Sequence, residues 1–165
     1  MSKKSHKFEH LINKEKYQVF VFSCKAYFPF LFAGHPWVVI NKRGIVSRYE
    51  VLHFIDSDKT ETNYIYINKF EPFIAINDKL FKEVVHDKIN LLGYIEGEEG
   101  SLAKEVIEYV EDSPNNYPYS DIYNFYGPNS NTYVQNILNR FPELKIKLNW
   151  NHIGKEFNNP KTLNF

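Results

Sequence analysis

A chain of 165 residues with 43% hydrophobic and 24% charged side chains is long enough for one domain with a real core, and too apolar to stay disordered. Its 20 Lys+Arg balance its 20 Asp+Glu, and a zero formal charge argues against a nucleic-acid partner, whose binding draws on a basic excess. The aromatics are the departure from ordinary composition: 14 Phe, 12 Tyr and 2 Trp make 17% of the chain, enough to fill a core or line a groove.

In chain order, residues 1–16 are polar and read as a flexible arm or short helix leading into the domain, 17–157 as a single domain, and 158–165 as a polar tail. The start lacks the apolar core and cleavage site of a signal peptide, and the lone Cys24 allows no intramolecular disulfide, so a reducing cytoplasm is expected. The most apolar run, 19–34, is broken by Lys25 and falls short of the ~20 residues that span a bilayer. Tyr17 to Ala26 is β-branched and aromatic, a strand with Phe20, Phe22 and Cys24 on one face. Residues 27–34 form an aromatic loop punctuated by Pro29 and Gly34. His35 to Asn41 and Ile45 to Phe54 read as a hairpin joined by the tight turn Lys42-Arg43-Gly44.

After a polar turn at 56–62, Asn63 to Asn68 alternates as a short strand; 78–86 has the spacing of a short helix and 89–95 of another strand. Ser101 caps a helix whose stripe is Leu102, Ala103, Val106, Ile107 and Val110, ending at Asp112-Ser-Pro114. Residues 115–120 read as loop, 122–126 as a short extended piece and Gly127-Pro128 as a turn. A second helix follows from Asn129-Ser-Asn-Thr132, with Tyr133, Val134, Ile137, Leu138 and Phe141 on its apolar side, until Pro142. The expected fold is α+β: an antiparallel sheet of about four to six strands with helices packed on one side.

Two residues far apart in sequence open regular elements and carry chemistry. Ser130 begins a helix, where unpaired amides and the positive dipole end favour a nucleophile's developing charge; His35 begins a strand and is a base of suitable type. The hydroxyl of Ser130 has a competing use, capping the amide of Thr132 or Tyr133. Aromatic runs flank both: Tyr27, Phe28, Phe30, Phe32 and Trp37 around His35, and Tyr117 to Tyr126 before Ser130. If the two meet, the rings surround a polar centre and make a ligand cleft for a small molecule, an acyl chain or lipid, or an aromatic-capped peptide. The segment Phe28 to Phe32 is also a candidate for peripheral contact with a membrane or a partner. The six histidines show no metal-ligand spacing, Asp56-x-Asp58-x-Thr60 lacks the remainder of a calcium loop, and no phosphate-binding glycine loop occurs, so neither metal nor cofactor is expected.

Four segments, Gly34-His-Pro-Trp-Val-Val39, Arg48-Tyr-Glu-Val51, Gly127-Pro-Asn-Ser-Asn-Thr-Tyr-Val134 and Ile153-Gly-Lys-Glu-Phe157, resemble in composition and order the blocks of an uncharacterised bacterial domain family. More distantly, a histidine strand, a polar strand, and an Asn-Ser-Asn-Thr-Tyr segment opening a helix look like the circularly permuted papain-like superfamily, relatives of NlpC-type peptidases and of lecithin:retinol acyltransferase. The resemblance implies Ser130 as nucleophile, His35 as base, and Glu50 or His53 as the orienting group, with Glu50 preferred because it stands in the Arg48-Tyr-Glu-Val51 block. Amides around Asn129 and Asn131 would hold an oxyanion, and Trp37 and Tyr126 would line the cleft. Ser130 stands where that superfamily has cysteine, and a hydroxyl needs a well-placed base throughout the reaction. Two functions follow: an amide or ester hydrolase or acyltransferase with a serine nucleophile, or a non-catalytic binding domain that keeps a degenerate cleft.

Overall fold

The computed structural model describes residues 7–27, 29–53, 63–76 and 88–157. Five antiparallel strands, β1 (Tyr17–Lys25), β2 (Gly34–Lys42), β3 (Ile45–Val51), β4 (Ile65–Ile67) and β5 (Asn90–Gly97), form one open sheet in the order β4-β3-β2-β1-β5. Three helices follow: α1 (Leu102–Glu111), the four-residue α2 (Ser113–Asn116) and α3 (Ser130–Arg140). The β2–β3 turn places Arg43 and Gly44 at φ of 52° and 94°, the left-handed pair that lets a two-residue hairpin follow the strand twist.

β1 and β2 are apolar along nearly their whole length because both faces of the sheet are covered. Val19, Val21, Val38 and Ile40 pack beneath α1 and α3 with Val106, Ile107, Val134 and Ile137. Phe20, Phe22, Cys24, Trp37 and Val39 face the other way, into a cluster closed by Phe8, Phe70, Phe73 and Ile76. Cys24 is a buried free thiol.

Three expectations change. The arm is docked from residue 7 on: Phe8 is buried with its ring edge-on to Phe22 at 5.1 Å, so an aromatic contact overrides the polar character of its neighbours. The loop expected at 115–120 begins inside a helical turn, because Pro114 fits the first turn of a helix. The segment 122–126 belongs to no strand. The helix expected over 78–86 and the turn at 56–62 lie outside the described residues. No helix among the described residues is long and apolar enough to cross a membrane.

The sheet–helix core is a large part of what holds α3, and hence Ser130, in place. Ile137→Ala, at a fully buried position on α3, will lower unfolding free energy by about 2–5 kcal/mol through lost burial and the cavity left behind, read from urea denaturation followed by circular dichroism.

Candidate functional site

The hairpin register pairs Val39 with Arg48 and Val38 with Tyr49. Side chains alternate along strands, so His35 and Trp37 on β2 share a side of the sheet with Arg48 and Glu50 on β3. Glu50 Oε2 lies 3.0 Å from His35 Nε2 and 2.7 Å from Arg48 Nη2. Both charged side chains are fully buried. The second guanidinium nitrogen of Arg48 donates to the carbonyls of Glu71 and Ile74 at 3.0 and 2.7 Å, and its Cζ lies 4.1 Å from the centre of the Trp37 ring. Burial acts to raise the Glu50 carboxyl, but the hydrogen bond from His35 and the charge of Arg48 outweigh it and hold it below the usual carboxylate range.

An ionised carboxylate only accepts, so Nε2 of His35 carries the proton it donates to Glu50. Nδ1 of the neutral ring is then the acceptor, and the Ser130 hydroxyl lies 3.1 Å from it. Serine, histidine and carboxylate thus form one continuous chain, and Glu50 rather than His53 is the residue on the histidine's far side.

The way α3 is capped explains why the Ser130 hydroxyl is free for this contact. Asn129, not Ser130, is the N-cap: its side-chain oxygen accepts from the amides of Asn131 and Thr132 at 2.9 and 3.3 Å, while the Thr132 hydroxyl accepts from the Asn129 amide at 3.2 Å. That capping box engages both amides expected as oxyanion donors: the Asn129 amide donates to the Thr132 hydroxyl and the Asn131 amide to the Asn129 side chain. The amide of Ser130 itself, at the first helical position, has no acceptor among the described residues and is the free donor there.

A strut of six residues, 149–154, ties the two halves together. The Asn151 carbonyl accepts from the Gly34 amide at 2.9 Å. The Ile153 carbonyl accepts from the side-chain amides of Asn129 and Asn131 at 3.0 and 2.7 Å, and the Gly154 carbonyl from the Thr132 hydroxyl at 2.7 Å. Between them His152 lies so close over Gly34 that a Cβ there would fall 2.7 Å from its Nε2, which is why glycine precedes His35. His152 Nδ1 lies 3.2 Å from the Asn149 carbonyl, an obligate acceptor, so Nδ1 carries the proton and Nε2 accepts from the Ser23 hydroxyl at 2.8 Å. Burial pushes the His152 imidazole down to about 4, with the Asn149 carbonyl opposing. Ser23 and His152 carried no signal in the sequence, because neither belongs to a recognisable motif.

His35 and Ser130 form part of the wall of a cleft of about 510 Å³, with Tyr27, Phe30, Tyr123 and Phe125 among its other walls. The Phe30 and Phe125 rings are 4.5 Å apart, so the two aromatic runs do meet. His53 is also on the wall, its ring against Tyr123 at 5.0 Å and Tyr64 at 5.7 Å, away from the His35–Glu50 contact. Asn129 and Asn131 reach the cleft while serving the cap and the strut. Tyr126 is on the rim and 75% exposed. Trp37 is not a cleft residue: it is fully buried, its indole N–H donates to the Pro72 carbonyl at 3.0 Å, and its ring supports Arg48. Lys155 donates to the carbonyls of Leu148 and Asn149, bracing the strut rather than the cleft. In the candidate membrane segment Phe32 is 63% exposed and Phe28 lies outside the described residues.

Two outcomes follow from these buried groups. Arg48→Met leaves Glu50 enclosed without its cation, and will cost about 3–5 kcal/mol in a urea titration at neutral pH. As pH falls from 6.5 towards 4, the unfolded chain takes up a proton at His152 that the folded chain refuses; stability drops across that window by on the order of 3 kcal/mol. Glu50, held low in the folded state, adds a second loss at still lower pH. His152→Gln, which cannot titrate, will flatten the slope between about pH 6.5 and 4.5 when urea midpoints are compared with the wild type.

No curated protein and no solved structure matches the chain. Residues 16–157 match the sequence model of a domain family, a span that takes in β1 through α3 and the strut, with every residue of the Ser130–His35–Glu50 chain inside it. The chain belongs to the family described as protein of unknown function (DUF3750).

Proposed function

We propose that this domain is a hydrolase or acyltransferase acting on an ester or amide, with Ser130 as nucleophile, His35 as general base and acid, and Glu50 as the group that orients the imidazole. The observation that carries it is the position of His35, 3.1 Å from the Ser130 hydroxyl on one side and 3.0 Å from the Glu50 carboxylate on the other, on the wall of an accessible cleft. Ser130 Oγ attacks the substrate carbonyl carbon as its proton passes to His35 Nδ1. The tetrahedral oxyanion is stabilised by the Ser130 amide at the helix N-terminus. The C–O or C–N bond breaks, the leaving group takes the proton from His35, and the acyl group stays on Ser130. Water or an acceptor alcohol or amine then gives its proton to His35 and attacks the acyl-enzyme, and the proton returns to Ser130 as the product leaves.

The Glu50 carboxylate holds the imidazole in the tautomer that exposes Nδ1 as a base and stabilises the imidazolium formed in each step. A serine, unlike a cysteine, needs that base throughout, and here it is held by a buried acid whose other partner is a buried arginine. The order of elements supports a permuted papain-like frame: the histidine strand, the carboxylate strand, then the helix that begins with the nucleophile.

A fluorophosphonate, which phosphonylates activated serines with loss of fluoride, tests the reading. The wild type will label, Ser130→Ala will not, and His35→Ala will label at least tenfold more slowly with an unchanged circular dichroism spectrum. Wild-type protein that stays unlabelled, or labelling that survives Ser130→Ala, overturns it.

A further inference from the structure

The walls of the cleft make a chemical statement about what enters it. Most of the lined surface is apolar and five aromatic side chains contribute to it, Tyr27, Phe30, Tyr123, Phe125 and Tyr126, with His53 stacked on Tyr123; the amides of Asn124, Asn129 and Asn131 are uncharged polar groups on the same wall. Among the described lining residues there is no carboxylate, ammonium or guanidinium group. Burial raises the phenols of Tyr27 and Tyr123 above their ordinary value, so both remain neutral. Glu50 and Arg48, the buried charges nearby, are behind His35 and satisfied by one another. A charged substrate group placed between the Phe30 and Phe125 rings would lose its water and meet no carboxylate, ammonium or guanidinium group, an outcome that selects against it.

The apolar surface also has a direction. From the Ser130 and His35 end it runs to the Phe30–Phe125 pair, then outward to Phe32, whose ring is 6.3 Å from that of Phe125, and to Tyr126 at 5.1 Å. Phe32 and Tyr126 are 63% and 75% exposed, so the apolar track continues past the rim instead of closing on a short pocket. A compact acyl group leaves that track uncovered; an extended alkyl chain covers it, and gains in proportion to the area removed from water.

We propose that the group received by this cleft is an uncharged, extended apolar acyl chain, laid between Phe30 and Phe125 with its carbonyl at Ser130. This rests on the serine-nucleophile reading for the position of the carbonyl, while binding of the chain stands on the walls alone. The acyl donor is therefore an alkanoyl ester or amide, and a peptide with ionised side chains next to the scissile bond is rejected.

Binding is measured with Ser130→Ala, which holds the cleft without turnover, using N-phenyl-1-naphthylamine, an uncharged apolar fluorophore. The expected result is saturable enhancement, reversed by methyl decanoate at concentrations at least tenfold lower than methyl butyrate requires, with monomethyl succinate ineffective. Phe30→Ala and Phe125→Ala, each checked for fold by circular dichroism, will weaken probe binding at least fivefold, and Ile45→Ala, at the distant β2–β3 turn, will not. Non-saturable fluorescence, displacement by monomethyl succinate, the absence of a chain-length preference, or binding indifferent to both phenylalanine variants overturns the proposal. Serine-dependent fluorophosphonate labelling accompanied by such a result would remove the acyl-chain specificity and leave the nucleophile standing. Chain-selective binding without labelling would do the reverse.

Discussion

A buried charge in a protein interior is tolerable only with a partner, and here one pair organises the centre of the molecule. Arg48 and Glu50 share the same side of β3, both without solvent contact, and each removes the reason the other would be costly. The pairing reaches well beyond two side chains. Arg48 fastens the 71–74 segment through two carbonyls and stacks on Trp37; Glu50 turns the remaining lone pairs of the same oxygen to His35. Glu50 Oε1 is left buried with no partner among the described residues, so one oxygen carries both contacts. Hydrophobic pairs of similar volume often replace buried ion pairs without loss of stability. Such a pair would not orient an imidazole.

Orientation at the far side of that imidazole depends on a different device. The sheet supplies His35 and the helix supplies Ser130, and neither element touches the other's terminus through regular hydrogen bonding. The strut at 149–154 bridges them with backbone carbonyls and the His152 ring, while the Asn129 side chain serves the helix cap and the strut at once. Backbone carbonyls have fixed positions once their segment is packed, so the distance between hydroxyl and imidazole is set by rigid parts rather than by long flexible side chains. Site precision of this kind requires a supporting layer that itself has no freedom.

The sequence made the strands and both long helices legible because their signals are local: β-branched alternation, the Arg43-Gly44 turn, the Ser101 cap and a helical stripe ending at Pro142. The choice between a capping and a free Ser130 was not legible. Asn129 and Ser130 are equally good caps in isolation, and the decision came from the strut, which holds the Asn129 side chain through Ile153. Glu50 stood out over His53 from the Arg48-Tyr-Glu-Val51 block, but the reason, a buried arginine on the same strand face, needed the sheet register. Trp37 was placed in the cleft by its nearness to His35 in sequence; it does share that side of β2, but Arg48 and the 71–74 segment cover it. The docking of Phe8 and the Ser23–His152 contact depend on residues more than ten positions apart, and no local pattern anticipates such pairs.

The strut also ties the serine's chemistry to the order in which the chain comes together. Hydrogen bonds join His35 to Glu50 across 15 positions, His35 to Ser130 across 95 and Ser23 to His152 across 129, and the longest of these closures carry a large entropic cost. Local elements such as the β2–β3 hairpin can form before them; the contact between hydroxyl and imidazole cannot. Ser130 has His35 beside it only where β2 and α3 are packed together, and the segment after α3 bridges the two. Whatever reactivity the hydroxyl possesses therefore belongs to the assembled domain and to no local segment of it.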